Sequence, residues 1–172
     1  MKKVIFLDFD GVLNTENYQA QLRDAGEPCW DDFGQVFDPE AVENLKTVLD
    51  AVPDVLLIIN SSWKLEGFAR MKELWKVRRL PGKIHGVTPD YVPDLRNIDL
   101  DNYDNIALLA GKGNEVKQWL DENVPEGCRY VILDDMPDFL PEQAPYHICT
   151  DPRVGLTVED AVKAIQLLNS KA

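Results

Sequence analysis

The chain is poor in positive charge and in the residues that build zinc sites and disulfides. Its 18 lysines and arginines face 30 aspartates and glutamates, so the formal net charge is −12. This deficit disfavours nonspecific nucleic-acid binding, which depends on basic contacts to phosphate. The two histidines and three cysteines lack the spacing of a zinc site or a disulfide framework. We therefore expect a cytoplasmic protein with reduced thiols and structural roles for His85 and His147.

Long apolar runs are also missing. No stretch approaches the roughly 20 residues that span a bilayer, and no charged-then-apolar leader precedes the first predicted strand. We expect no membrane contact. A length of 172 residues fits one domain over residues 1–172 and leaves little room for a large separate cap. The sequence does not specify an oligomeric state.

Short apolar segments alternate with amphipathic ones along the chain. The predicted strands lie near residues 3–9, 55–61, 84–87, 130–134 and 146–149. Apolar residues at helical spacing lie between them, and Asp38 before Pro39 and Thr157 before Asp160 are typical of helix starts. The alternation predicts the α/β class: a doubly wound, Rossmann-like parallel sheet with helices on both faces.

Two connections are longer than ordinary loops. Residues 15–37 carry several aromatic side chains, and residues 89–110 are rich in aspartate. The second connection lacks the glycine and terminal glutamate of an EF-hand loop, so it predicts a solvated acidic loop. We interpret residues 15–37 as a flap or short cap and residues 89–110 as a second short insertion, each a candidate lid over a rather open site.

Acidic residues follow two of the predicted strands. Asp8, Asp10 and Gly11 end the first strand, and Asp134 and Asp135 end the fourth. Side chains two residues apart point to the same side of an extended chain, and glycine permits a sharp turn. Because ligands of open parallel sheets bind beyond the carboxyl ends of the strands, these acids predict a reactive site. Such paired carboxylates also predict a hard divalent cation held by oxygen, for which Mg²⁺ is the natural candidate.

Two further polar segments complete a pattern. Ser61, Ser62 and Trp63 follow the second predicted strand, and Lys112 stands at a predicted helix start with Lys117 as the alternative lysine. In this order the four segments resemble the motifs of the haloacid dehalogenase (HAD) superfamily of phosphohydrolases. The Ser-Ser-Trp segment and the stretch 151–157 resemble HAD proteins related to domains of RNA-repair enzymes.

The resemblance implies a phosphoric monoester hydrolase that works through an aspartyl-phosphate. Asp8 would be the nucleophile, and Asp10 the general acid and base. Ser61 and Lys112 would act on the phosphoryl group, while Gly11 and Ser62 would contribute to substrate binding. Whether Ser61 or Ser62 acts on the phosphoryl group stays open. Trp63 is equally consistent with a wall of the site and with core packing.

The resemblance also implies a Mg²⁺ site. Asp8 would supply one oxygen, the Asp10 backbone carbonyl a second, and an acid of the last motif a third. We favour Asp135 as this ligand and Asp134 as the residue that orients the lysine, with the reverse assignment open. Asp138 is expected to be an exposed turn residue rather than an outer acid of the site.

Alternative functions are a phosphate-binding module or a receiver-like signalling domain without turnover. A receiver would have its phosphoacceptor on a later strand, and here the Asp-x-Asp-Gly segment comes first. The net charge favours a small phosphorylated metabolite or a nucleotide as substrate, whereas the RNA-repair resemblance favours a nucleic-acid end. Basic residues crowd one short segment, which holds Lys72, Lys76, Arg78, Arg79 and Lys83. Lys72, Lys76 and Arg79 share a predicted helix face, which we expect to be solvated, with guidance of an anionic substrate as the alternative.

Overall fold

A computed structural model describes residues 1–92, residue 96 and residues 111–170. Five parallel strands form its central sheet: β1 Lys3–Leu7, β4 Leu56–Ile59, β5 Ile84–Val87, β6 Arg129–Asp134 and β7 His147–Cys149. Their order across the sheet is β5-β4-β1-β6-β7. All four pairings are parallel. This architecture confirms the predicted Rossmann-like α/β fold.

Strand β1 is apolar throughout because both of its faces are covered. Val4 and Phe6 belong to one buried cluster, together with Val116. Ile5 and Leu7 belong to a second and larger cluster on the opposite face. Strands buried on both faces form continuous hydrophobic runs instead of alternating ones. The run Val4–Leu7 therefore marks the centre of the sheet.

Within the described residues, four α-helices lie in connections between strands and a fifth follows the last strand. They are α1 Glu16–Ala25, α2 Pro39–Ala51, α3 Phe68–Val77, α4 Gly111–Asn123 and α5 Val158–Asn169. Asp38 caps α2, accepting a hydrogen bond from the backbone of Glu40, with proline in the first turn. Thr157 and Asp160 form a capping box at the start of α5. These two predicted helix starts are confirmed.

The first long connection contains regular structure. Besides α1, residues 15–37, which we call the cap segment, hold an antiparallel hairpin of β2 Trp30–Asp31 and β3 Gly34–Gln35. Arg78 fastens this hairpin through hydrogen bonds of 2.9 and 2.7 Å to the Asp31 carboxylate. Burial alone would raise the pKa of Asp31, but the hydrogen bonds and charge of Arg78 outweigh it, so this pKa is lowered. Arg78 is therefore paired with the hairpin, apart from the helix face that Lys72, Lys76 and Arg79 are expected to share.

The second long connection falls mostly outside the described residues. Of the predicted insertion at 89–110, the structure describes residues 89–92 and Arg96. The division into one domain with two insertions stays a prediction. No helix within the described ranges is both long enough and apolar enough to cross a membrane.

Candidate active site

The sheet topology brings two aspartates together. From β1 the chain adds β4 and β5 on one side, and then crosses to β6 on the other side of β1. The carboxyl ends of β1 and β6 therefore flank the point where the winding direction reverses, which is the ligand crevice of such sheets. Asp8 follows β1 and its backbone N–H donates to Leu133 of β6, while Asp134 ends β6. Asp8 is 4% exposed and Asp134 is fully buried.

Lys112 joins these two carboxylates. It lies in the first turn of α4, and its Nζ is 2.8 Å from Asp8 Oδ2 and 2.6 Å from Asp134 Oδ2. Asp138 holds the start of this helix, because its Oδ2 accepts the Lys112 backbone N–H at 3.2 Å. Lys117, the alternative lysine, pairs with the exposed Asp121 instead. The structure thus places Lys112 between the two acids. Asp138 is not a free turn residue, because its carboxylate anchors the start of α4.

The buried pair carries more negative charge than one lysine neutralises. Burial, reinforced by the charge of Asp8, raises the pKa of Asp134 to about 7. Burial also raises the pKa of Asp8 despite its contact with Lys112. Burial alone would lower the pKa of Lys112, but the two carboxylates outweigh it and raise that pKa. An added cation beside Asp8 and Asp134 would relieve this imbalance.

A third carboxylate completes a possible metal-binding group. Ligand atoms of Asp8, Asp134 and Asp135 lie within 4.8 Å of one another. Both oxygens of Asp134 already accept hydrogen bonds, from Lys112 and from the backbone of Met136. Within the described part of the chain, the Asp135 carboxylate accepts none. An all-oxygen donor set with one uncommitted carboxylate has the chemistry that Mg²⁺ requires.

Gly11 makes the approach of Asp135 possible. Its φ is +68°, and a Cβ at this position would lie 2.5 Å from both Cγ and Oδ2 of Asp135. The Thr150 hydroxyl fixes the same turn by donating to the Gly11 carbonyl at 2.8 Å. Only glycine satisfies both the backbone conformation and the close contact.

The carboxylate of Asp10 is held by two donors. Asn14 Nδ2 donates to its Oδ1 at 2.7 Å, and the Trp63 indole Nε1 donates to its Oδ2 at 3.0 Å. The carboxylate is not part of the three-acid group, so any ligation by Asp10 would use the backbone carbonyl that the resemblance implies. Asn14 was not predicted from the sequence. Its place four residues after Asp10, within the glycine turn, is the signal that could have indicated it.

The two serines occupy different places. Ser61 is buried just beyond β4, where its hydroxyl accepts the Trp63 backbone N–H at 3.4 Å. It lies close enough to the Asp8 carboxylate to help lower the pKa of that acid, although burial outweighs this effect. Ser62 is exposed and lines a cavity that also reaches Gly11 and Asp135. Ser61 is thus the serine that lies against the acidic pair.

The cavity, of about 1150 Å³, extends from the acidic residues to the cap segment. Asp10 and Trp63 line it at the sheet end, and Arg23 and Trp30 line it on the cap side. Trp30 is 63% exposed. Arg70 of α3 also lines it, whereas the exposed Lys72, Lys76 and Arg79 do not.

Sequence analysis missed a buried lysine beside the site. Lys64 Nζ lies 2.7 Å from Glu115 of α4 and 3.1 Å from the Thr88 hydroxyl at the end of β5. It therefore links the segment after Ser61 to the helix that carries Lys112. A lysine in a polar turn gives no sequence signal of such burial.

Comparison with known proteins identifies the family. Residues 4–161 match the family described as the HAD domain in Swiss Army Knife RNA repair proteins. The chain belongs to this family, as the sequence resemblance predicted. No curated protein and no solved structure matched the chain. Membership supports a HAD-type phosphatase or a role in nucleic-acid end repair, and HAD domains generally use Mg²⁺.

Proposed function

We propose that this protein is a Mg²⁺-dependent phosphatase that hydrolyses phosphomonoesters through an aspartyl-phosphate on Asp8. The observation that carries the proposal is the bridging of Asp8 and Asp134 by Lys112, with Asp135 beside them, at the reversal point of a HAD-type sheet. This arrangement combines a buried carboxylate nucleophile with positive charge where a phosphate would bind.

Asp8 attacks the phosphorus atom, and the bond to the leaving oxygen breaks as the aspartyl-phosphate forms. Lys112 neutralises charge on the phosphoryl oxygens, aided by a helix start that also favours anions. The buried Ser61 hydroxyl, which follows β4 and lies near Asp8, is placed to contact a phosphoryl oxygen. Mg²⁺ held by Asp8, Asp135 and the Asp10 carbonyl would supply electrostatic stabilisation of the transferred group.

Asp10 acts as the acid and base of the reaction. Its carboxyl group lines the cavity in which the leaving group lies. In the first step it gives a proton to the departing oxygen. In the second step it accepts a proton from the water that attacks the aspartyl-phosphate, which restores Asp8 and releases phosphate.

A nucleic-acid end is a second candidate substrate beside a small metabolite or nucleotide. The family match includes RNA repair in its description. The cavity is larger than a phosphate group needs, and the exposed ring of Trp30 offers a surface on which a base can stack. The net charge of −12 opposes long polyanions, so a short end that enters the cavity fits better than an extended strand.

Hydrolysis of p-nitrophenyl phosphate tests the proposal. EDTA should abolish turnover and Mg²⁺ should restore it. Asp8→Asn should be inactive but folded by circular dichroism, since an amide cannot form the acyl-phosphate. Asp121→Asn, the same change at an exposed helix position, is the matched control and should keep full activity. Turnover by folded Asp8→Asn would contradict the proposal, and a stable phosphoprotein without turnover would favour the receiver-like alternative.

A further inference from the structure

The indole of Trp63 connects the acid-base residue to the cap segment. Its Nε1–H donates to Asp10 Oδ2 at 3.0 Å, while Asn14 holds the other carboxylate oxygen. Asp10 itself is exposed at the edge of the cavity. The direction of its carboxylate therefore depends on these two hydrogen bonds and not on surrounding packing.

Aromatic contacts fix the Trp63 ring in place. The rings of Phe9 and Phe37 lie with their centroids 5.4 and 5.8 Å from that of Trp63, and the Phe9 contact is edge to face. The Arg78 guanidinium, which fastens the hairpin through Asp31, lies 5.6 Å from the indole ring. A tryptophan held in this way presents its N–H in one direction.

The cap hairpin packs against another side of the Trp63 ring. Gly34 begins β3, and a Cβ at this position would lie 2.7 Å from Cη2 of Trp63. The hairpin backbone thus approaches the indole so closely that no side chain fits between them. A shift of the hairpin changes the space available to the Trp63 ring.

We propose that Trp63 is a positioning residue for leaving-group protonation: the cap hairpin sets the ring, and the ring N–H aims the Asp10 carboxyl group at the departing oxygen. This inference rests on the proposed function, in which Asp10 is the acid. Proton transfer requires heavy atoms within about 2.6–3.2 Å, so loss of one of two orienting bonds weakens it. Binding of phosphate by Lys112 and Ser61 does not depend on Trp63.

The effect has a kinetic signature that depends on the leaving group. A good leaving group such as p-nitrophenolate departs without much help from an acid, whereas phenolate, which is more basic, needs the proton. The constant kcat/KM covers only steps up to departure of the leaving group. A comparison of kcat/KM for these two aryl phosphates therefore reports on protonation of the leaving group. Binding of the phosphate group affects both esters alike, and hydrolysis of the aspartyl-phosphate does not enter this constant.

Trp63→Phe removes the N–H and keeps an aromatic ring. We expect kcat/KM for phenyl phosphate to fall about tenfold more than for p-nitrophenyl phosphate, a part of the roughly 100-fold to 10,000-fold that a general acid contributes. An equal fall in kcat/KM for both esters would indicate a merely structural role for Trp63. That result, or no fall for either ester, would overturn this inference and leave the proposed function standing. Absence of turnover in the unchanged protein overturns the proposed function and this inference with it.

Gly34→Ala tests the role of the hairpin and keeps the inference falsifiable if Trp63→Phe fails to fold. Its matched control is Gly26→Ala at the end of α1, because both glycines have positive φ, +127° and +72°. A Cβ at Gly26 meets no atom of the described residues within 4 Å. We expect Gly34→Ala to reproduce the selective loss with phenyl phosphate and Gly26→Ala to show none. Identical kinetics in the two variants would overturn the coupling between hairpin and acid.

Discussion

At the residue scale, the proposed chemistry depends on two buried carboxylates that share one ammonium group. Asp8 and Asp134 both contact Lys112, and burial raises the pKa of each acid. A protein would not retain such an unbalanced pair for stability alone, because replacing buried ion pairs by apolar residues is often neutral or stabilising. The imbalance is understandable if a cation and a phosphate complete the charge balance during catalysis.

The raised pKa of Asp134 predicts a pH dependence of stability in metal-free protein. Between about pH 4 and pH 7 the folded state holds a proton that the unfolded state, with a pKa of 3.8, has lost. The contribution of Asp134 to the free energy of unfolding is therefore present below pH 4 and is lost as the pH rises towards 7. Denaturant unfolding in EDTA should show this decline, and Asp134→Asn should reduce it.

Asp121→Asn is the control for this measurement, because Asp121 is exposed and pairs only at the surface. It should leave the decline between pH 4 and pH 7 unchanged. An equal decline in Asp134→Asn and the unchanged protein would show that the proton is not held at Asp134.

Individual site residues were predicted from the sequence to different extents. Asp8 and Asp134 follow strongly apolar strands, so the sheet edge could be predicted from local pattern. The choice of Lys112 over Lys117 depends on where α4 begins, which local pattern places only within a few residues. The bond from Trp63 to Asp10 depends on ring packing against the cap segment, a long-range contact without a sequence signal.

At the scale of elements, the start of α4 is packed too tightly for a side chain. A Cβ at Gly113 would lie 2.8 Å from the Leu140 backbone N and 2.9 Å from Cα of Phe139. Gln143 closes the same contact by donating to the Gly113 carbonyl at 2.8 Å. The close approach sets the position of Lys112, one residue away, over the acidic pair.

Gly113→Ala should therefore push α4 away from the segment 138–143. We expect a loss of about 1–3 kcal/mol in the free energy of unfolding, the usual effect of overpacking, with a fall in phosphatase activity as Lys112 shifts. Thermal or denaturant unfolding measures the first effect and aryl phosphate hydrolysis the second.

Gly111→Ala, two residues earlier on the same helix, is the matched control. Among the described residues, a Cβ there meets only Asp138 Oδ2 at 3.7 Å, an ordinary contact, and alanine favours helix more than glycine does. This variant should be as stable as the unchanged protein or more stable. Equal stability of the two variants would contradict the tight docking of α4.

Among the elements, the central sheet and the helices that cover it were predictable, whereas α1 and the hairpin inside the cap segment were not. The strands are apolar runs between turns, and the helices carry caps and apolar stripes, so local rules suffice. Each strand of the hairpin has two residues, below the length at which alternation is visible. Its position depends on Arg78 and Arg70 of the region around α3, which donate to Asp31 and to the Asp32 carbonyl across many residues of sequence.

At the scale of the whole molecule, charge and cavity shape point to a substrate that enters by a short end. The net charge repels extended polyanions at distances within the Debye length, about 8–10 Å at physiological salt. The cavity offers two features to an incoming leaving group, the exposed Trp30 and Arg23 on the cap side. Lys72, Lys76 and Arg79 are exposed and do not line it.

Trp30→Ala should selectively weaken a nucleotide or an oligonucleotide end as substrate. A stacking surface contributes roughly 1–3 kcal/mol, so its loss corresponds to a rise in KM of about fivefold to 150-fold for a phosphorylated dinucleotide. Hydrolysis of glycerol phosphate, which has no ring, should keep its KM. The triple variant Lys72→Ala, Lys76→Ala, Arg79→Ala should leave both substrates unaffected. If the triple variant raised the KM of the dinucleotide and Trp30→Ala did not, substrate guidance would belong to the basic residues on and after α3 and not to the cap segment.

The most direct test of the account is identification of the residue that becomes phosphorylated. Protein incubated with Mg²⁺ and a ³²P-labelled phosphomonoester is quenched in acid, treated with hydroxylamine and mapped by peptide mass spectrometry. With p-nitrophenyl phosphate, whose leaving group departs with little help from an acid, we predict a hydroxylamine-labile phosphate on Asp8 that is absent from Asp8→Asn. It should accumulate in Asp10→Asn, which cannot accept a proton from the attacking water. Turnover without a labelled intermediate in both the unchanged protein and Asp10→Asn, or a label on another residue, would contradict the account.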